Sequence, residues 1–317
     1  LPYPDQKYNK MSMQYLKKII FDDHIKSRIM VLLLLCTLTS CFRGHIITER
    51  QIRKHYATKD HKPTVYTIDN DSISLSVASI GQDTLPLLLL IHGAPGSLWG
   101  YLNFLDDADL QKHYHIVSVD RLGYGKSKFK KLKSVTSIDM QASALIPVLA
   151  LNKSKEKMTV LGRSYGAPIA ARLVSMVSES VKELVMVSPV IDPDKEKFYW
   201  FSKLGKNSII KFFLPHEFNV ATDEKYSHIK ELRKLLPIWK SITVPTTVIQ
   251  GGKDWIGDPA NIDFARSHIK SKSVQYIFLH NAGHMITQTH ASLIKDILLR
   301  ANTKKRRKGA IALDSPL

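Results

Sequence analysis

Met158-Thr159-Val160-Leu161-Gly162-Arg163-Ser164-Tyr165-Gly166-Ala167 is the stretch on which the fold of this chain turns. A short apolar run, Met158–Leu161, leads into Gly162-Arg163-Ser164-Tyr165-Gly166, and helix-forming residues continue from Ala167 to Val177. A GxSxG between a strand and a helix is the setting of a nucleophile elbow. The turn is so tight that side chains at 162 and 166 would meet the neighbouring strand and helix, hence the two glycines. The serine is thereby held in a strained conformation with its oxygen projecting. The helix N-terminus behind it favours developing negative charge. Ser164 is the candidate nucleophile.

Outward from the elbow, apolar β-rich runs recur at intervals. Val65–Ile68 and Ile73–Ile80 alternate like a half-buried hairpin. Pro86–Ile91, His115–Val119, Leu184–Val187, Thr243–Ile249 and Val274–Leu279 resemble the Met158–Leu161 run, continuous as in buried parallel strands. Helical stretches at Ser137–Leu151, Ala167–Val177, Ile262–Lys270 and Ile286–Arg300 fall between them. This alternation predicts an α/β fold, a mostly parallel central sheet with helices on both faces. The chain has 317 residues, 44% of them hydrophobic, which allows one large α/β domain or two small ones and excludes disorder as the default. Residues 192–237 interrupt the alternation. They are aromatic and basic (Phe198, Tyr199, Trp200, Phe201, Phe212, Phe213) and read as a short helical lid. Those aromatics serve either to pack the lid on the body or to touch substrate.

A nucleophilic serine needs a base, and the base needs an orienting acid. Gly251-Gly252-Lys253-Asp254 closes the run Thr243–Ile249, and Asn281-Ala282-Gly283-His284 follows Val274–Leu279. Two further motifs precede the elbow, His92-Gly93-Ala94-Pro95-Gly96 and Asp120-Arg121-Leu122-Gly123-Tyr124-Gly125-Lys126-Ser127. Together, in this order, they resemble the α/β-hydrolase superfamily over residues 62 to 302, with its HGxPG oxyanion loop, DRxGxGxS loop and Ser…Asp…His order. The resemblance implies a catalytic triad of Ser164, His284 and Asp254, with the backbone N–H groups of Ala94 and Tyr165 as oxyanion hole. Asp258 and Asp192 are rival acids. His92, Asp120 and Arg121 are expected to order loops, His280 and His290 to be structural or exposed, and Lys126 and Arg163 are cations near the site.

The resemblance implies a serine hydrolase cleaving an ester (carboxylesterase, lipase-like or thioesterase) through an acyl-enzyme, with a small-molecule acyl substrate and no cofactor. Epoxide hydrolases and haloalkane dehalogenases share the HGxPG-like loop but use an aspartate nucleophile. Prolyl aminopeptidases also resemble this chain in the loop and elbow; their caps offer acids to a substrate amine, and Glu217 and Glu224 stand in the lid here. C–C bond hydrolases and perhydrolases use the same triad. A lipid-anchored binding protein without turnover is an alternative of another class.

The two cysteines, Cys36 and Cys41, both lie near the start, which excludes a CxxC…CxxC zinc site; no metal is expected. Lys17, Lys18, Lys26 and Arg28 precede the apolar run Ile29–Leu38, too short to span a bilayer, and Leu38-Thr39-Ser40-Cys41 follows. This resembles the lipobox of bacterial lipoprotein signal peptides. It implies a signal over 1–40, lipid attachment at Cys41 and a place in the bacterial cell envelope, anchored to membrane and facing periplasm or exterior; the alternatives are an uncleaved N-terminal anchor or a buried helix preceding the domain. Residues 41–61 are polar and basic and read as a tether with a short helix. The formal charge of +18 first suggests nucleic acid or anionic membrane as partner. It divides among the export segment, a basic tail over 303–317 (Lys304 to Lys308) and the body, so it is no single nucleic-acid patch. No nucleic-acid motif is present, and nothing in the sequence fixes the oligomeric state.

Overall fold

The structure is a computed structural model, and it describes residues 47–130, 134–199, 202 and 205–302. Cys41, the export segment, the basic tail, Trp200 and Phe201 lie outside the described residues.

Among the described residues nine strands form one sheet: β1 Thr64–Asp69, β2 Ile73–Ile80, β3 Leu87–Ile91, β4 His115–Val119, β5 Lys128–Phe129, β6 Met158–Arg163, β7 Val181–Val187, β8 Thr246–Gly251 and β9 Val274–Leu279. The order across the sheet is β1-β2-β4-β3-β6-β7-β8-β9, with β5 paired to β2. From β4 through β9 every pairing is parallel, while β2 pairs antiparallel with β1, β4 and β5. The inner parallel strands β3 and β4 are buried along their whole length, which is why their sequences read as unbroken apolar runs, whereas the edge strand β9 is mostly partly buried. In β3, Leu87, Leu89 and Ile91 enter one core while Leu88 and Leu90 enter the other.

Among the described residues the helices are α1 Glu49–His55, α2 Leu102–Leu105, α3 Ala108–His113, α4 Ile138–Ser143, α5 Gly166–Met176, α6 Ser208–Phe213, α7 His216–Leu235, α8 Asn261–His268, α9 Ile286–Thr289 and α10 Ala291–Asn302. The first core packs α4, α5 and α8 with Trp239 on one face of the sheet; the second packs α2, α3, α9 and α10 on the other. Two expected helices are shorter than their periodicity. Ser137–Leu151 is α4 followed by a 3-10 turn opening at Ile146-Pro147, because proline has no N–H for the helical ladder. Ile286–Arg300 divides into α9 and α10 at His290. The basic stretch 41–61, expected as a tether with a short helix, carries α1 among its described residues. Thr48 caps α1 in a reciprocal capping box with Gln51, Ile52 and Tyr56 are buried, and His55 and Lys59 both reach Asp106.

Insertion 192–237 lies between β7 and β8 and carries α6 and α7. The inward face of α7 is charged. Glu224, His228 and Glu231 are buried beside Val220, Leu232 and Leu235. No helix among the described residues is long and apolar enough to cross a membrane.

Candidate active site

Strand β6 ends at the elbow. Ser164 sits at φ 53°, and α5 begins two residues later. A Cβ at Gly166 would stand 2.4 Å from the carbonyl oxygen of Ile91, and one at Gly162 would stand 2.5 Å from that of Gly166. Both are closer than any side chain tolerates, so the serine turn exists only with glycine at these positions. The Ser164 N–H donates to the carbonyl of Val187, extending the sheet ladder into the turn.

The loops after β8 and β9 are stitched together. Gly252 N–H donates to Leu279 C=O and Lys253 N–H to Ala282 C=O. This brings Asp254 and His284 side by side. His284 Nδ1 is 2.8 Å from Asp254 Oδ2, and His284 Nε2 is 3.0 Å from Ser164 Oγ. All three are buried. The carboxylate is satisfied on both oxygens. Oδ1 accepts the N–H groups of Ile256 and Gly257, and Oδ2 accepts the Gln250 amide at 3.1 Å. Such a carboxylate fixes the imidazole with its Nδ1–H turned inward and its Nε2 lone pair facing the serine hydroxyl. Ser188, at φ 45°, donates from Oγ to the carbonyl of His284 and pins that loop; its role was not visible in the sequence.

The HGxPG segment lies against the serine. A Cβ at Gly93 would stand 3.0 Å from Ser164 Cβ. Arg121 grips this segment from behind, its Nε donating to His92 C=O at 2.9 Å and its Nη2 to Gly93 C=O at 3.1 Å. His92 Nδ1 bonds the same Gly93 carbonyl at 2.7 Å, and its Nε2 accepts the Arg121 N–H at 3.1 Å. Burial, reinforced by the Arg121 charge, holds the His92 imidazole well below its usual pKa, so it is neutral. The neutral tautomer with a proton on Nδ1 satisfies both bonds. His92 orders the loop.

Arg121 is fully buried and needs a counter-charge. It comes from α7, where Glu224 accepts from Nη1 at 2.5 Å and from Nη2 at 3.0 Å. Tyr124 O–H adds a bond to Glu224 Oε2 at 2.6 Å. The guanidinium also lies over the rings of Tyr124 and Tyr165, 4.5 and 4.9 Å from their centroids. The Tyr165 ring stacks on His228, whose Nδ1 is 2.9 Å from Glu196. Burial raises the Glu196 carboxyl, but His228 and Lys225 outweigh it and hold it below its usual range. Sequence reasoning missed Glu196, His228 and this use of Glu224. The only available signal was an acid and a histidine four residues apart within the insertion.

A family model described as the alpha/beta hydrolase fold matches residues 86–217, spanning the HGxPG loop, the DRxGxGxS loop and the elbow. A putative lipase of known structure from Acinetobacter baumannii AYE superposes with a TM-score of 0.62 at 20% identity, covering 80% of this chain and 96% of that one. This chain has the α/β-hydrolase fold. Among curated proteins, it is similar to an AB hydrolase superfamily protein, YfhM, of Bacillus subtilis (strain 168). The two are 26% identical over 121 residues, 38% of this chain and 42% of that protein. It is also similar to Lipase 3 of Moraxella sp. (strain TA144), 24% identical over 233 residues, 62% of this chain and 71% of that protein. The chain therefore spans about two-fifths of the first relative and about seven-tenths of the second.

Within this α/β-hydrolase fold the remaining predicted residues have other partners. Asp258 pairs with Lys197 at 3.1 Å, and Asp192 accepts the N–H of Asp194; neither is bonded to His284. Lys126 pairs with Glu49 at 3.1 Å. Arg163 reaches Thr287 and Gln288 on α9, behind the His284 loop. Phe198 packs on Tyr226, Tyr199 on Trp255, and Phe212 on Phe213. Among the described residues no group of His, Cys, Asp or Glu is arranged to hold a metal ion.

Asp120 makes the stability of the fold depend on pH. Its carboxylate accepts the N–H of Leu98 at 2.8 Å and that of Lys126 at 3.4 Å, and burial pushes its pKa up to about 6 against these donors. The folded state thus binds this proton more tightly than the unfolded chain, where an Asp titrates near ~3.9. The stabilisation from Asp120 is complete below about pH 4 and is lost as pH rises through about 6. Unfolding free energies of wild type and Asp120→Asn from pH 4 to 7 measure it. The wild type should lose roughly 2–3 kcal/mol relative to the variant across that window. Parallel curves contradict the assignment.

Proposed function

We propose that this chain is a serine hydrolase that cleaves an ester or thioester of a small acyl substrate by way of an acyl-enzyme. The observation that carries this reading is the unbroken series Asp254–His284–Ser164, bonded at 2.8 and 3.0 Å in a buried site. Ser164 Oγ attacks the acyl carbonyl as His284 Nε2 takes the hydroxyl proton, and Asp254 stabilises the imidazolium. The tetrahedral oxyanion lies against the backbone N–H groups of Ala94 and Tyr165. Collapse breaks the bond to the leaving alcohol or thiol, which takes the proton from His284. Water then attacks the acyl-enzyme with His284 again as base, releasing the carboxylic acid and restoring Ser164. No step calls for a cofactor. A serine in this position favours acyl transfer over the alkyl-ester chemistry that an aspartate nucleophile performs.

The aminopeptidase alternative is weakened by one feature. Glu224, an acid available in the sequence for a substrate amine, is wholly buried against Arg121 and Tyr124. A panel of p-nitrophenyl esters, acyl thioesters and aminoacyl p-nitroanilides tests the choice. Ester or thioester turnover at least about 100-fold faster than anilide turnover, a gap of about 2.7 kcal/mol in barrier, is expected. Preference for a prolyl anilide would replace this reading.

Attachment to a bacterial envelope through lipid on Cys41 belongs to the same proposal, supported by the sequence of the export segment and by the basic body, which anionic lipid attracts. Palmitate labelling that disappears in Cys41→Ser is expected, and label retained in that variant counts against it.

A further inference from the structure

We infer that Arg121 is a positioning residue for the oxyanion hole, acting through the Gly93–Ala94 peptide, and that Glu224 of the lid helix α7 holds it in that role. This rests on the serine-hydrolase reading for its chemical meaning, and on separate geometry for its substance.

A trans peptide unit is planar, with its C=O and N–H directed oppositely. The carbonyl of the Gly93–Ala94 unit is gripped by two donors, Arg121 Nη2 at 3.1 Å and His92 Nδ1 at 2.7 Å. Fixing that oxygen fixes the direction of the Ala94 N–H on the other edge of the same plane. The neighbouring carbonyl, His92 C=O, is held by Arg121 Nε at 2.9 Å, so the plane cannot swivel about its N-terminal side. Gly93 itself abuts Ser164, which puts this peptide unit beside the reacting atom. A cation on the carbonyl also polarises the conjugated amide and strengthens its N–H as a donor in a site of low dielectric. The same guanidinium lies over the ring of Tyr165, whose backbone N–H is the second donor.

Free buried arginine would swing toward any acceptor. Glu224 removes that freedom by taking both terminal nitrogens, and Gln141 backs Glu224 at 3.4 Å while bonding Leu122 and Val135 carbonyls. The lid is therefore part of the machinery that aims the oxyanion hole as well as a cover.

Arg121→Lys tests this. Lysine retains a charge for Glu224 but has one nitrogen, and so gives up the paired grip on His92 and Gly93. The expected result is a fall in kcat of about 100-fold, with KM changed less than about threefold, as for loss of one oxyanion donor. Affinity for a trifluoromethyl ketone, whose adduct carries the oxyanion, should fall in parallel with kcat/KM. Near-wild-type circular dichroism shows that the variant folds; if it does not, Glu224→Gln, which keeps shape and one acceptor, is expected to shift kcat in the same direction. Unchanged kcat and ketone affinity in a folded variant overturn the inference, and so does a rise in KM alone. A crystal structure of the variant supplies an independent readout. The Gly93–Ala94 peptide should be rotated from its wild-type orientation, and an unmoved peptide overturns the inference. That readout needs no turnover, so absence of ester hydrolysis by the wild type would count against the hydrolase reading alone.

Discussion

Ser164→Ala should lose ester hydrolysis by at least about 10⁴-fold while leaving the fold intact. The size follows from what the serine does. In the proposed mechanism there is no acyl-enzyme without Oγ, and His284 and the proposed oxyanion donors are left to assist direct attack by water. The substitution removes one atom from a buried site and leaves the turn itself untouched, since alanine accepts the strained φ of 53° no worse than serine does. A stopped assay on an activated ester, paired with a thermal melt, checks both halves. Residual activity within about tenfold of wild type would mean that another group is the nucleophile.

The second large effect concerns stability. Arg121 and Glu224 are both fully buried, and Glu224→Ala leaves the guanidinium without a counter-charge in the core. Breaking one side of a buried pair costs about 3–5 kcal/mol, most of it the penalty of the abandoned charge. For a domain of this size that corresponds to a melting temperature lower by on the order of 10 °C. Replacing both partners with apolar residues, as in Arg121→Met/Glu224→Leu, should recover most of the loss, because no unpaired charge remains. Turnover should stay low in the double variant, because the His92 carbonyl has lost its Arg121 donor and the Gly93 carbonyl has lost one of its two. Thermal melts and kcat measured on the same preparations separate the two consequences. A double variant that regains activity along with stability would assign the pair a packing role only.

The parts of the site legible in the sequence are those whose physics is local. The elbow could be read because glycine, serine and glycine must stand together between a strand and a helix. Asp254 and His284 could be read because each follows an apolar run that ends at the same edge of the sheet. The inner parallel strands, β3 above all, were legible because burial on both faces leaves no polar alternation to misread. β5, two residues long, has no pattern to find.

What stayed hidden depends on partners distant in the chain. Arg121 and Glu224 are 103 residues apart, and nothing near either one announces the other. The buried face of α7 carries Glu224, His228 and Glu231 at helical spacing, which a hydropathy pattern assigns to solvent. The Arg121 guanidinium and the Tyr165 ring inverted that assignment by supplying charge and stacking partners. Lys126, which the sequence left open as a cation for an anionic substrate or a plain surface charge, pairs with Glu49 of the short helix α1, a partner 77 positions away that the sequence does not announce.

The central claim is that Ser164 is a nucleophile activated by His284. It is tested most directly by reacting the full chain with a fluorophosphonate and mapping the adduct by peptide mass spectrometry. A single stoichiometric adduct on Ser164 is expected, strongly reduced in His284→Ala and absent from Ser164→Ala. Wild-type protein that fails to label while a known serine hydrolase labels in the same tube, or an adduct on any residue other than Ser164, would contradict it.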